Sequence, residues 1–305
     1  MTCLARSVLA LALILPALAV APATAQYRPT PPPGGGAGGG IGPSTSPSGP
    51  GNTQPALTNS QVDIVYTEPR NDDFRPIRDR LMRRRVLEQL QQFLSPLRLP
   101  RKLLVQVDEC GTTKRPYQPG GPAVICYEYV AQIERMAAKQ TGPNSLPPDT
   151  MVVGAFVQSM LNEVAQGVFD ILEIPVWGRE EDAADKLAAF IMVQFGKEVA
   201  RKVLIGAAWF FEVSDRTWTG ADFASVHSPE SQRFYNYLCV AYGADPATFK
   251  FLLNNDLLPA RRAQRCAKEY FDLRRAFLRT IMPHVDEARL RVVQSGTWLS
   301  LDEPR

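Results

Sequence analysis

Two stretches of this chain come nearest to doing chemistry: Asn162-Glu163-Val164-Ala165-Gln166 and, a little further on, Glu180-Glu181-Asp182-Ala183-Ala184-Asp185. The first sets two carboxamides four residues apart around a glutamate. With histidines at 162 and 166 it would read HExxH, in which one face of a helix offers two imidazoles to zinc and the glutamate acts as general base. The second stretch would then supply a carboxylate ligand. The imidazoles are absent, and that changes the chemistry. Zinc is held by imidazole, thiolate and carboxylate, whereas a neutral carboxamide oxygen is a weak donor better suited to hard cations among several other oxygens. Glu163 can still accept a proton, but water has a pKa of about 15.7 when free and about 7 on zinc. At about 1.36 kcal/mol per unit, the lost activation is on the order of 12 kcal/mol as an upper bound.

The elements that must position these residues are readable from periodicity. A helix from about Thr150 to Glu173 is apolar at Val153, Phe156, Val157, Met160, Leu161, Val164 and Val168, while Gln158, Asn162, Gln166 and Asp170 repeat at four-residue spacing with Glu163 beside them. An ordinary wet face would show the same stripe. Pro175 ends this helix and Gly178 allows a turn, so that a second helix, opening at Glu180 and running through Phe190, folds back against the first. Acidic residues in a first turn also need no purpose beyond the helix dipole. Upstream, Leu103–Val107 and Ala123–Tyr129 read as strands around a Pro/Gly-rich loop, giving a hairpin-like unit or small sheet before a helix at Glu128–Lys139. Arg78–Phe93 reads as one helix with Leu81, Leu87, Leu90 and Leu94 inward and Arg83-Arg84-Arg85 solvated. Downstream, helices begin near Ser228 or Pro229 and stop at Gly243, span Pro246–Asn254, and run from Pro259 to Met282. After Pro283 the tail reads as loosely ordered.

The whole chain bounds the rest. Arg6 before the apolar run Val8–Val20, with Ala23-Thr24-Ala25 after it, predicts a signal peptide over 1–25 and an exported protein, periplasmic or extracellular. Cys3 would leave with that peptide. Residues 26–60, rich in Pro, Gly and Ser, predict a disordered tether, and 61–305 a single domain. No later segment is long and apolar enough to span a membrane. With 34 basic and 31 acidic residues the net charge is +3, which gives no field to recruit nucleic acid. Four cysteines would remain after export: three pairings are formally open, and proximity favours Cys110 with Cys126 and Cys239 with Cys266. Close CxxC-like pairs for a four-cysteine zinc site are missing. With only His227 and His284, a three-histidine site is excluded.

Several separated motifs, Cys126-Tyr127-Glu128-Tyr129-Val130, the Asn162–Gln166 helix, Gly178-Arg179-Glu180-Glu181-Asp182-Ala183-Ala184-Asp185 and the stretch from His227 to Pro246, together resemble a family of exported bacterial metallopeptidases of otherwise unknown function. The resemblance covers roughly Pro76 to His284. It implies an α+β, zincin-like fold, mostly helical, with a small sheet or hairpin packed on the motif helix. It also implies that Asn162 and Gln166 stand at two lost ligand positions, Glu163 at the general base and Glu181 at the third ligand, with Glu180 its rival. Asp185 would be the carboxylate that orients the first ligand. His227 would be a proton donor or hydrogen-bond donor near the cleft. The loop Thr112–Tyr117 lacks an asparagine expected there. The leading expectation is a pseudo-peptidase that binds no cofactor and keeps a binding or scaffold role toward a protein, a peptide or a cell-envelope component. The alternative is an active metal-dependent peptidase, with zinc or a different metal held by unusual ligands around Glu163, Glu181, Asp185 and His227.

Overall fold

The computed structural model describes residues 61–296 apart from 141, 143–144, 215–218 and 220–222. The expected signal peptide, the tether over 26–60 and the last residues of the domain lie outside the described residues.

Three short strands form a parallel sheet in the order β1 (Val62–Tyr66), β2 (Leu103–Asp108), β3 (Ala123–Cys126). In β2 burial alternates residue by residue, while all of β3 is buried. Val105 pairs with Ala123 and Asp108 with Cys126, so β2 and β3 run the same way. This corrects the hairpin expectation. The 109–122 connection is long enough to cross over, as a parallel pair requires. Both strands then end on one edge, which brings the Cα atoms of Cys110 and Cys126 to 5.5 Å, joined as a disulfide. Strand β1 carried no expectation, and the second strand ends at Cys126, where α3 (Tyr127–Ala138) begins, rather than at Tyr129.

Between β1 and β2 the expected single helix is two, α1 (Arg75–Arg83) and α2 (Val86–Phe93), with a left-handed step at Arg85, φ 50°. The Tyr66 hydroxyl accepts from the Leu87 amide at 2.8 Å and donates to Glu88 at 2.9 Å, so a side chain from β1 satisfies a free N–H in the first turn of α2. Leu81, Leu87, Leu90 and Leu94 are buried and Arg83, Arg84 and Arg85 exposed, as the stripe requires.

Helix α4 (Pro148–Ile171) is the centre of the molecule. It opens with Pro148 in its first turn and ends before Glu173, which turns left-handed at φ 51° ahead of Pro175. It packs against β2, β3, α3, α5 (Glu180–Val193) and α6 (Lys197–Ser214). Surrounded on all sides, it buries nearly every residue from Met151 to Ile171, so the wet-face reading of its polar stripe does not hold. Helix α6, for which the sequence carried no expectation, crosses α4 where Gly154 faces Gly206: a Cβ on Gly206 would lie 2.1 Å from the Thr150 carbonyl oxygen.

The C-terminal layer consists of α7 (Glu230–Ala244), the short α8 (Phe251–Asn254) and α9 (Ala260–Thr280). Cys239 on α7 is bonded to Cys266 on α9 with Cα atoms 4.9 Å apart. Gly243 does not stop α7; it lies within it, where a Cβ would come 2.3 Å from the Cys266 carbonyl oxygen. Phe190 on α5 meets Tyr270 and Phe277 on α9, with ring centroids 5.7 and 4.9 Å apart. Beyond Pro283 the chain is not loose: α10 (Glu287–Ser295) follows, capped by Asp286, and Leu97 bridges Val285. The His284 carbonyl accepts from the Arg98 amide at 2.8 Å and ties the tail to the N-terminal layer.

Candidate functional site

Four-residue spacing on α4 puts Gln158, Asn162 and Gln166 on one face, and the turn through Gly178 (φ 107°) brings the first two turns of α5 against it. The result is a buried network of amides and carboxylates. Gln166 Nε2 donates to Asn162 Oδ1 at 3.0 Å and to Glu181 Oε2 at 3.2 Å. Asn162 Nδ2 and Gln158 Nε2 both donate to Asp185 Oδ1, at 2.9 and 3.0 Å. Asn162, Gln166 and Glu181 therefore converge.

Asp185 is the most heavily occupied group. Arg233 on α7 grips it through two bonds, Nε to Oδ2 at 2.6 Å and Nη2 to Oδ1 at 2.9 Å, with both side chains buried. The Arg233 guanidinium also stacks 4.3 Å above the Phe211 ring. Coulombic attraction and hydrogen bonding from Asp185 outweigh the desolvation that would lower the pKa of Arg233, and keep it high. No motif singles out Arg233 in the sequence, although it sits one helical turn before the buried Tyr237, a cation at the head of a core-facing stripe.

His227 reaches the site on the segment leading into α7. Asp182, also in the first turn of α5, accepts from the Ser228 hydroxyl at 2.7 Å and from the Ser228 amide at 3.3 Å. Arg179 donates to the same hydroxyl at 3.2 Å and to the Phe223 carbonyl at 3.3 Å. Held in this way, His227 Nδ1 stands 3.5 Å from Glu181 Oε2 without hydrogen-bond geometry. Burial, then the positive charges of Lys114 and Arg233, push the imidazole down to about 4. At neutral pH it is an uncharged ring suited to hydrogen bonding, not an imidazolium proton donor.

Glu163 lines a small pocket with His227, and its Oε2 has no hydrogen-bond partner among the described residues. Burial, then repulsion from Glu181, pushes its carboxyl up to about 8 against an opposing pull from Lys114. Glu181 is raised as well, first by burial. Glu180, the rival ligand, is exposed.

The crossover connection covers the site. Glu128 accepts from the Cys110 and Gly111 amides at 3.1 and 2.6 Å, and Asp170 accepts from the Tyr117 hydroxyl and the Gly120 amide, both at 2.8 Å, and from Arg101 at 2.6 Å. Lys114, between these anchors, lines the pocket with Asn162, Glu163, Glu181, His227 and Arg233. Beside it opens a cleft of about 780 Å³ whose walls include Tyr117, Gln166, Phe169, Ile174, Glu181 and Val226.

This donor set does not fit a catalytic zinc ion. The Asn162 carbonyl oxygen is taken by Gln166, the amide N–H groups point at carboxylates, and both oxygens of Asp185 are engaged by Arg233. Glu163, Glu181 and His227 keep capacity as zinc-type donors, but among the described residues their donor atoms do not gather within 4.8 Å of one another as a three-ligand zinc centre needs. What the arrangement can do is bury paired polar groups rigidly and present Glu163 and a neutral imidazole to one small pocket.

No curated protein and no solved structure matches the chain. A family model described as "Putative metallopeptidase" matches residues 66–280, which includes every residue of this site.

Proposed function

The chain belongs to the "Putative metallopeptidase" family, and from that premise we propose that it is an exported member in which the cleft has passed from peptide hydrolysis to binding or scaffolding. Asn162 and Gln166 then stand where two histidine ligands have been replaced, Glu163 and Glu181 persist from the base and the third ligand, and Asp185 persists from the carboxylate behind the first ligand. The observation that carries this reading is the internal satisfaction of the two carboxamides. Each donates to a buried carboxylate, as replacement residues would if selected for packing rather than for holding an ion. The adjoining cleft of about 780 Å³, with both apolar and polar walls, supports a retained binding role. A peptidase with unusual ligands would have to draw Glu163, Glu181 and His227 closer together or take Asp185 as a donor, and Arg233 already occupies both oxygens of Asp185.

Metal analysis of the purified full-length protein, together with a peptide-hydrolysis assay with and without chelator, tests the proposal. Substoichiometric zinc and no chelator-sensitive hydrolysis are expected. One zinc per chain, with hydrolysis that a chelator abolishes, would overturn it.

A further inference from the structure

The net charge of +3 hides an uneven distribution. Helix α9 carries seven Arg and Lys residues against one Glu and one Asp, a net of +5, so the rest of the chain is slightly acidic. Its inner side is fully used: Cys266 is bonded to α7, and Tyr270, Leu273 and Phe277 pack on the core. Two large apolar side chains nevertheless face outward, Phe271 with 56% of its surface exposed and Leu278 with 42%. They stand seven residues apart and so share a face, about 10 Å from each other along the axis. Exposed cations are interleaved with them, Lys268 and Arg275 on one flank and Arg274 on the other. Asp272 pairs with Lys268 and Arg275, and Glu269 with Arg262 and Arg265. Among the described residues no ion pair reaches Arg261, Arg274 or Arg279, all exposed, which leaves three charges able to meet an external anion.

A single exposed hydrophobe on a helix is ordinary. Here two lie within a row of cations, and that combination selects the partner. A soluble polyanion would be met by the arginines alone. The boundary of a bilayer sets phosphates beside acyl chains, and a face with both kinds of side chain matches it. We propose that the outer face of α9 docks on a bilayer rich in anionic phospholipid. Phe271 and Leu278 enter the boundary between headgroups and acyl chains, while Arg261, Arg274 and Arg279 bind the phosphates, their stems lying along the apolar pair. The contact is peripheral, since among the described residues no helix is long and apolar enough to cross a membrane. This inference goes beyond the reading of the cleft and does not depend on it, because the cleft is built on other elements and no outcome of the zinc assay bears on this face.

The test is co-sedimentation with vesicles of phosphatidylcholine alone or mixed equally with phosphatidylglycerol, using protein purified after export so that the apolar run Val8–Val20 is gone. The protein is expected to bind the mixed vesicles at least about tenfold more tightly than the neutral ones. Arg274→Glu/Arg279→Glu, which breaks no ion pair, should weaken that binding by about tenfold or more, and Arg274→Gln/Arg279→Gln serves in its place should melting curves show the first variant unfolded. Phe271→Gln/Leu278→Gln, at unchanged charge, should weaken it about tenfold as well. Equal binding to both kinds of vesicle, or undiminished binding by the folded charge variant, overturns the proposal. Loss in the charge variant with full binding kept by the apolar variant also overturns it, and would mark the face as one for polyanions.

Discussion

At the scale of single residues, the site is governed by which buried polar groups have partners. Arg233 and Asp185 satisfy each other, and the three amides of α4 satisfy one carboxylate each or share one. Glu163 is the exception, since its Oε2 has no partner among the described residues and its carboxyl is pushed up to about 8. A carboxyl raised in the folded state favours folding while protonated, and that contribution is complete below the ordinary carboxylate pKa and lost as pH climbs through about 8. Glu163→Gln should therefore be nearly neutral at pH 5 and stabilise by about 1–3 kcal/mol at pH 8.5, discounted for partial solvent access. Urea melts at the two pH values check this; equal gains at both would show that Glu163 does not carry the shift. Of this scale the sequence disclosed much. Asn162, Glu163 and Gln166 stand out by their spacing and Glu181, Asp185 and His227 by the family resemblance, and the structure brings them together. Spacing within one helix fixes which side chains share a face, and it is silent on a cation arriving from elsewhere in the chain. That is why Arg233 and Lys114 went unseen.

At the scale of elements, the fold depends on close approaches that glycine permits. Gly154 and Gly206 bring α4 and α6 to backbone contact, with a Cβ on Gly206 only 2.1 Å from the Thr150 carbonyl oxygen. Gly206→Ala would gain about 1 kcal/mol of helix propensity if exposed. Here it should instead cost about 2–4 kcal/mol by forcing the helices apart, read as a lower midpoint in chemical denaturation, and a stabilised variant would contradict the packing. The same scale holds the main misreadings of the sequence. A hairpin of β2 and β3 would have placed Cys126 opposite about Val105, on the order of 15 Å from Cys110, which is incompatible with the disulfide expected between them. The two expectations conflicted, and the disulfide was the stronger. Helix α2 separates from α1 at the left-handed Arg85, and Tyr66, distant in sequence, satisfies an amide in its first turn, a tertiary contact that no local pattern records.

At the scale of the whole molecule, two disulfides staple opposite layers, one at the edge of the sheet and one between α7 and α9. Among the described residues no helix is long and apolar enough to cross a membrane. Reducing both bridges should lower stability by about 2–4 kcal/mol each and shift thermal unfolding downward together, as one transition; an unchanged melt under reductant would show them unformed. The amide and carboxylate network has a consequence for sequence change. A single histidine introduced at 162 or 166 would forfeit hydrogen bonds at once and complete no ligand set, so each one-step variant would fold less stably than its parent. A change to zinc chemistry would need several substitutions to arrive together, and the mutual satisfaction of these buried groups works as a ratchet against single steps.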